Sequence, residues 1–232
     1  MFRFANNMPI SRRLFLAAAL AAVIPGIVIA VLGVSYFTTL STTNQTVTTS
    51  NNAVKLATDQ QADLLRMNAL LTALGTSNTN SPSTIVQVNR EITQLTSDFD
   101  QKLSSYQQNY QILSSPNMDA VRGVLEGNGL GQQTPVSQRS MIFVVNLQWQ
   151  NYKGAQSKVL QDLQKQANGT VVGDLAQSNL LYLPLKGNLD NLVGLTESFS
   201  QIVVQVNSQQ VYPLIWGTIS AFLISTIMVF LV

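Results

Sequence analysis

Apolar and polar positions along the 232-residue chain follow two patterns. Two long runs carry no charged residue: Leu14 to Phe37 (LFLAAALAAVIPGIVIAVLGVSYF) and Val211 to Val232 (VYPLIWGTISAFLISTIMVFLV). At about 1.5 Å of rise per residue either run exceeds a hydrocarbon core of roughly 30 Å, so the pattern predicts transmembrane helices over 14–37 and 211–232. Between them, apolar residues recur every three or four positions, the period of a helix with one buried face.

Four such seams are legible. Val47, Val54, Ala57, Leu64, Met67, Leu71 and Leu74 form the first, which stops at Gly75, a natural C-cap, and has no breaker separating it from the run before it. The spacing predicts one helix from Leu14 to about Gly75, kinked at Pro25. Ile85, Val88, Ile92, Leu95, Phe99, Leu103, Tyr106, Tyr110 and Leu113 form the second, with Ser83 as its expected N-cap. After a break at Ser114 to Asn117, a short helical turn and a glycine-rich connection, Met141, Val145, Trp149, Tyr152, Val159 and Leu163 mark a third helix over about Val136 to Ala167. The fourth starts near Val171, carries Leu175, Leu189, Leu192, Phe199, Val203 and Val206, and is expected to bend at Pro184. Short connections force antiparallel neighbours, so the expected fold is all-α: two transmembrane helices flanking an up-down-up-down four-helix bundle over residues 38–210, with its outer helices continuous with the spans.

Charge sharpens this picture. The chain has 13 basic and 11 acidic side chains and neither histidine nor cysteine. Without imidazole or thiol, Ser-His-Asp and Cys-His catalysis and His/Cys metal or haem sites are excluded; no catalytic residue, metal or cofactor is expected. A net charge of +2 is too small and too scattered for nucleic-acid binding. Three of the basic groups, Arg3, Arg12 and Arg13, fall in the start, residues 1–13, and the next charge is Lys55. The positive-inside rule then makes both termini cytoplasmic and residues 38–210 extracytoplasmic, in a two-pass protein of the inner or plasma membrane with the lipid bilayer as a partner. Tyr36 and Phe37 closing the first run, and Tyr212 and Trp216 opening the second, suit one common interface. A cleaved signal peptide fits less well, because the first apolar run is longer than the usual 7 to 15 residues or so. No basic anchor follows the second run, which reads as an amino-terminal piece whose cytoplasmic part is missing.

A basic start (SRRLFLAAAL), a first apolar run, four amphipathic helices and a second apolar run together resemble the sensor region of bacterial transmembrane chemoreceptors and sensor histidine kinases. The resemblance covers nearly the whole chain in layout and periodicity, without a diagnostic motif. It implies a homodimer whose last helix is shifted by a small-molecule or protein ligand outside, passing the signal to a HAMP domain and then to a kinase or chemotaxis module. It also implies arginine as the grip for a carboxylate, which brings Arg66 and Arg90 forward, with Arg122 and Arg139 as the remaining guanidinium groups between the apolar runs. Tyr106 with Tyr110 and Trp149 with Tyr152 are candidates to line a pocket between helices. Ala18, Ala22, Gly26 and Ala30 recur every fourth residue and, with Gly217 and Ala221, form expected helix-packing ridges. Gly127 to Gly131 resembles a phosphate loop only superficially, since no strand precedes it and no Lys-Ser/Thr follows; it reads as a turn. The leading functional expectation is a receptor module without catalysis of its own. The alternative is a structural or partner-binding protein in which the bundle is a spacer.

Overall fold

The computed structural model describes residues 9–76, 81–165 and 168–231; the side chains of 12–22, 24–25, 28, 168–169, 225–226 and 228–231 lie outside that description. The described residues form five α-helices: α1 (Ile10–Thr76), α2 (Pro82–Asn109), α3 (Asp119–Gly127), α4 (Gln133–Gln164) and α5 (Asn168–Leu231), with a 3₁₀ turn at Pro116–Met118 before α3. They divide into two compact units, Thr46–Val204 on the one hand and Met1–Gln45 with Gln205–Val232 on the other.

The Thr46–Val204 unit is a bundle with up-down-up-down topology, and its contacts define the direction of every pair. Ser50 meets Ser200, Gln61 meets Asp190 and Gly75 abuts Leu175, so α1 and α5 run antiparallel. Lys102 bonds Asp63, Trp149 bonds Asp100 and Lys158 bonds Asp174, which join α2 to α1, α4 to α2 and α5 to α4. Longer side chains reach between the parallel helices: Tyr152 of α4 donates to Asn68 of α1, and the hydroxyls of Tyr106 in α2 and Thr196 in α5 meet. Ala57, Leu64, Met67, Phe99, Leu103, Val145, Trp149, Leu185, Leu189 and Leu192 fill one continuous core, and Leu71, Leu74, Ile92, Val159 and Leu163 fill a second cluster.

The ends of α2 differ from the expected ones for local reasons. Its N-cap is Ser81, two residues ahead of Ser83: the Ser81 hydroxyl accepts from the Thr84 amide at 3.2 Å, and Pro82 takes the first helical position, where a missing N–H costs nothing. The helix stops at Asn109 and so leaves Leu113, the last residue of the expected seam, in an exposed turn. Gln138 takes the Ile112 amide at 2.8 Å and Ser115 donates to the Asn109 carbonyl at 2.7 Å, so side chains replace the helical hydrogen bonds that would have continued. Both α1 and α5 run through their prolines, Pro25 and Pro184, without interruption.

The transmembrane part of the expected fold is overturned. Among the described residues no helix is long and apolar enough to cross a membrane. Freedom from charge is a weaker condition than the roughly 20 mostly apolar residues a span requires; within the described part, Ser35 lies inside the first run with Thr38 and Thr39 just after it, and Pro213, Thr218 and Ser220 interrupt the second. The spans at 14–37 and 211–232 and the two-pass membrane localisation with both termini cytoplasmic and residues 38–210 extracytoplasmic fall with that finding. Arg3 lies outside the described residues, as do the side chains of Arg12, Arg13, Ala18 and Ala22. Gly26, Ala30 and Gly217 are exposed, and Ala221 is half-buried.

The turn reading of Gly127 to Gly131 is the one the structure shows. α3 closes in a Schellman motif: Leu130 N–H bonds the Leu125 carbonyl at 2.9 Å and Gly129 N–H bonds that of Glu126 at 3.1 Å. Gly129 takes φ +74°, open to glycine and strained for other residues, and a Cβ on Gly131 would lie 2.9 Å from the Glu126 Cα. Gly129→Ala is therefore expected to lower stability by about 1 kcal/mol, read as a lower urea midpoint at unchanged slope; an unchanged midpoint would contradict this turn geometry.

Candidate functional site

The expected site residues separate into two groups. Arg66 points outward and pairs with Glu91, and Arg90 is exposed beside a shallow depression along α2 with Asn89, Thr93 and Asp98. Tyr106, Trp149 and Tyr152 are fully buried, with Tyr110 half-buried at the end of α2. The Trp149 ring lies 4.0 Å from Phe99 and 6.0 Å from Tyr152, which in turn contacts Tyr182 at 6.1 Å. These aromatics are core, and their polar tips bind partners of their own: the indole N–H of Trp149 donates to Asp100 at 2.6 Å, and Lys153 bonds the same carboxylate at 3.1 Å. Arg122 is structural as well, donating to the Ile112 carbonyl at 2.9 Å, while Arg139 is exposed.

What the seams did not reveal is a set of polar residues at the core positions themselves. Gln138 of α4 is fully buried and bonds three groups at the end of α2: the Ile112 amide at 2.8 Å, the Tyr110 carbonyl at 2.9 Å and the Tyr106 hydroxyl at 3.1 Å. The Tyr106 hydroxyl also meets that of Thr196 at 2.6 Å, so three helices share one network. Burial pushes the Tyr106 phenol up to about 12, more than the hydrogen bonds from Thr196 and Gln138 offset by favouring the phenolate; burial raises Tyr152 likewise.

Where α1 meets α5 at the same end of the bundle, the contacting side chains are small or hydroxylated. Ser50 and Ser200 approach to 3.2 Å, Ser200 donates to Asn51 at 3.0 Å, and Ala53 and Ala57 continue the seam, both fully buried. Gln60 follows, also fully buried, and neither end of its carboxamide has a hydrogen-bond partner. Beside it Gln61 donates to Asp190 at 2.6 Å; burial raises the Asp190 carboxyl, but Lys186 and Gln61 together hold it below the ordinary range.

Between α4 and α5 runs an open groove of about 500 Å³, bounded by Gln150, Asn151, Gly154 and Lys158 on one side and Asp174 and Gln177 on the other. Asp174 is its buried member. One carboxylate oxygen takes Lys158 Nζ at 2.5 Å, and that pairing raises the Lys158 ammonium. Helical phase could have found Ser178 and Thr196, which keep step with Leu185, Leu189 and Leu192, and equally Asp174, four residues before Ser178, and Gln138, four before Ile142; their polarity is what hid them from a search for apolar seams.

Comparison with protein-family models, with curated proteins and with solved structures finds no match to this chain.

The buried phenol has a consequence for alkaline stability. An unfolded tyrosine ionises near 10 and Tyr106 in the bundle near 12, so its protonated form supports folding fully below pH 10, and that support is lost as pH rises through 12. Unfolding free energies measured between pH 10 and pH 12 should fall less steeply in Tyr106→Phe than in the unmodified chain; equal slopes would contradict the burial of an ionisable phenol.

Proposed function

We propose that this chain is a ligand-responsive coupling module, a helical bundle without chemistry of its own in which binding changes the register of α5 against α1. The observation that carries this reading is the α1–α5 seam. Serines, alanines and the unpartnered Gln60 occupy positions where a static bundle would place leucine. Hydroxyl pairs re-form after a small slide, since each hydroxyl donates and accepts along a rotatable bond, whereas interdigitated leucines resist one. A buried carboxamide without partners costs about 1 to 3 kcal/mol, which raises the energy of this register toward that of a neighbouring one. Switching interfaces also ratchet one element past another by a helical turn, about 5.4 Å, and a change of register on this seam is a movement of that kind.

A second reading, a docking post for another protein, is favoured by Phe143 and Leu147 on α4 and Leu180 and Leu183 on α5, which are large, apolar and exposed.

The coupling reading is tested by disulfide trapping. Cysteines replacing Ser50 and Ser200 mark the observed register; cysteines replacing Ser50 and Val204 mark one displaced along α5. Under mild oxidant both pairs are expected to close, the second more slowly but to completion, and Gln60→Leu is expected to suppress the second by removing the unpaired carboxamide. Closure of the 50/200 pair alone after exhaustive oxidation would overturn it.

A further inference from the structure

The buried apolar residues of the bundle form two clusters, and the level that divides them is polar on each of the four long helices. In α1 Met67 belongs to the larger cluster and Leu71 to the smaller; the corresponding pairs are Phe99 and Ile92 in α2, Tyr152 and Val159 in α4, and Tyr182 and Leu175 in α5. Between the members of each pair stand, in the same order, Asn68, Thr96, Gln156 and Ser178. Their connections are loose. The Thr96 hydroxyl has one proton to give, and the Ile92 carbonyl at 2.8 Å, the Gln156 Oε1 at 3.3 Å and the Met67 Sδ at 3.5 Å all compete for it. The Tyr152 hydroxyl reaches Asn68 at 3.5 Å, a long hydrogen bond, and Ser178 is fully buried beside the same phenol.

Such a level couples the two clusters weakly. Hydrophobic stabilisation follows the apolar area removed from water, and polar side chains contribute little of it across the divide. Gln156 is 2% exposed and its Nε2 finds no acceptor, so the closed bundle holds an unpaired carboxamide donor at this height. Opening on the side of the smaller cluster hands that donor to water and thereby offsets part of the apolar contact that is lost. The ion pairs that join helices on that side, Arg66 with Glu91 and Lys158 with Asp174, have basic partners 66% and 61% exposed, so water screens them.

We infer that the level of Gln156 is a dividing plane built into the fold: the smaller cluster, with the stretches of four helices that carry it, opens as one cooperative unit while the larger cluster stays closed. The chain then has a second, partly open state, and any partner that binds the closed end draws the population away from it. The Ser50–Ser200 contact lies alongside the larger cluster, so this opening and the register of α5 there are separate movements.

Native-state hydrogen exchange of the full chain in low urea tests it. Amides of Leu71, Ile92, Val159 and Leu175 are expected to share one opening free energy and one dependence on urea, both smaller than those of Leu64, Phe99 and Trp149. Val145→Ala, which opens a cavity in the larger cluster, should speed exchange of the second set about tenfold or more. It should leave the first set unchanged, because the surroundings of Val145 are the same in the closed and the partly open state. Gln156→Leu should slow the first set about tenfold by removing the unpaired donor from the closed state. Values that rise residue by residue from the helix ends, with no shared urea dependence, would show fraying in place of a cooperative unit. Equal acceleration of both sets by Val145→Ala would show that this end opens only with the whole bundle. Either result overturns the inference, as does unchanged exchange at the four end amides in Gln156→Leu; the first comparison needs no variant.

Discussion

A carboxamide shut away from water has to find its hydrogen bonds inside the protein, and in this bundle Gln138 finds three of them on a single neighbouring helix end. Much else depends on that constraint. It ends α2 at Asn109 by drawing the Ile112 amide and the Tyr110 carbonyl toward α4, and it holds the Tyr106 hydroxyl where Thr196 of α5 can meet it. Apolar packing alone tolerates exchange among residues of similar size and shape, whereas a fully buried hydrogen-bonded network admits few geometries. With Trp149 bonded to Asp100, the same logic recurs farther along the α2–α4 contact. α2 and α4 therefore form a fixed frame.

Against that frame, α5 is held differently at different heights. Leu185, Leu189 and Leu192 bury it in the central core and Thr196 joins it to Tyr106, whereas Ser200 meets Ser50 of α1 through hydroxyls, with the buried Ala53, Ala57 and Gln60 farther along α1. The contrast between a network with defined partners and a seam of interchangeable ones separates a part that stays from a part that can move.

The helices were legible because their apolar residues keep a period near 3.6, and Leu64, Met67, Phe99, Trp149 and Leu192 all turn inward as that period requires. At the two apolar runs the expected spans are not found, since among the described residues no helix is long and apolar enough to cross a membrane. The site was hardly legible at all. Gln138 and Asp174 share the phase of their helices' buried residues, but a seam of apolar residues passes over them, and their hydrogen-bond partners emerge only when α2 and α5 are placed beside α4. Arg66 and Arg90 drew notice for their chemistry, yet both face outward, because nothing in a single helical period tells a guanidinium aimed into a groove from one in water.

Native-state hydrogen exchange on the full chain, resolved by residue, tests the division into frame and moving helix most directly. Amides of α5 from Phe199 to Val203 are expected to exchange through a local opening of lower free energy than amides around Tyr106 in α2 and Val145 in α4, which should open only with global unfolding. Equal opening free energies for all three segments, with the same dependence on denaturant, would show a single rigid unit and contradict it.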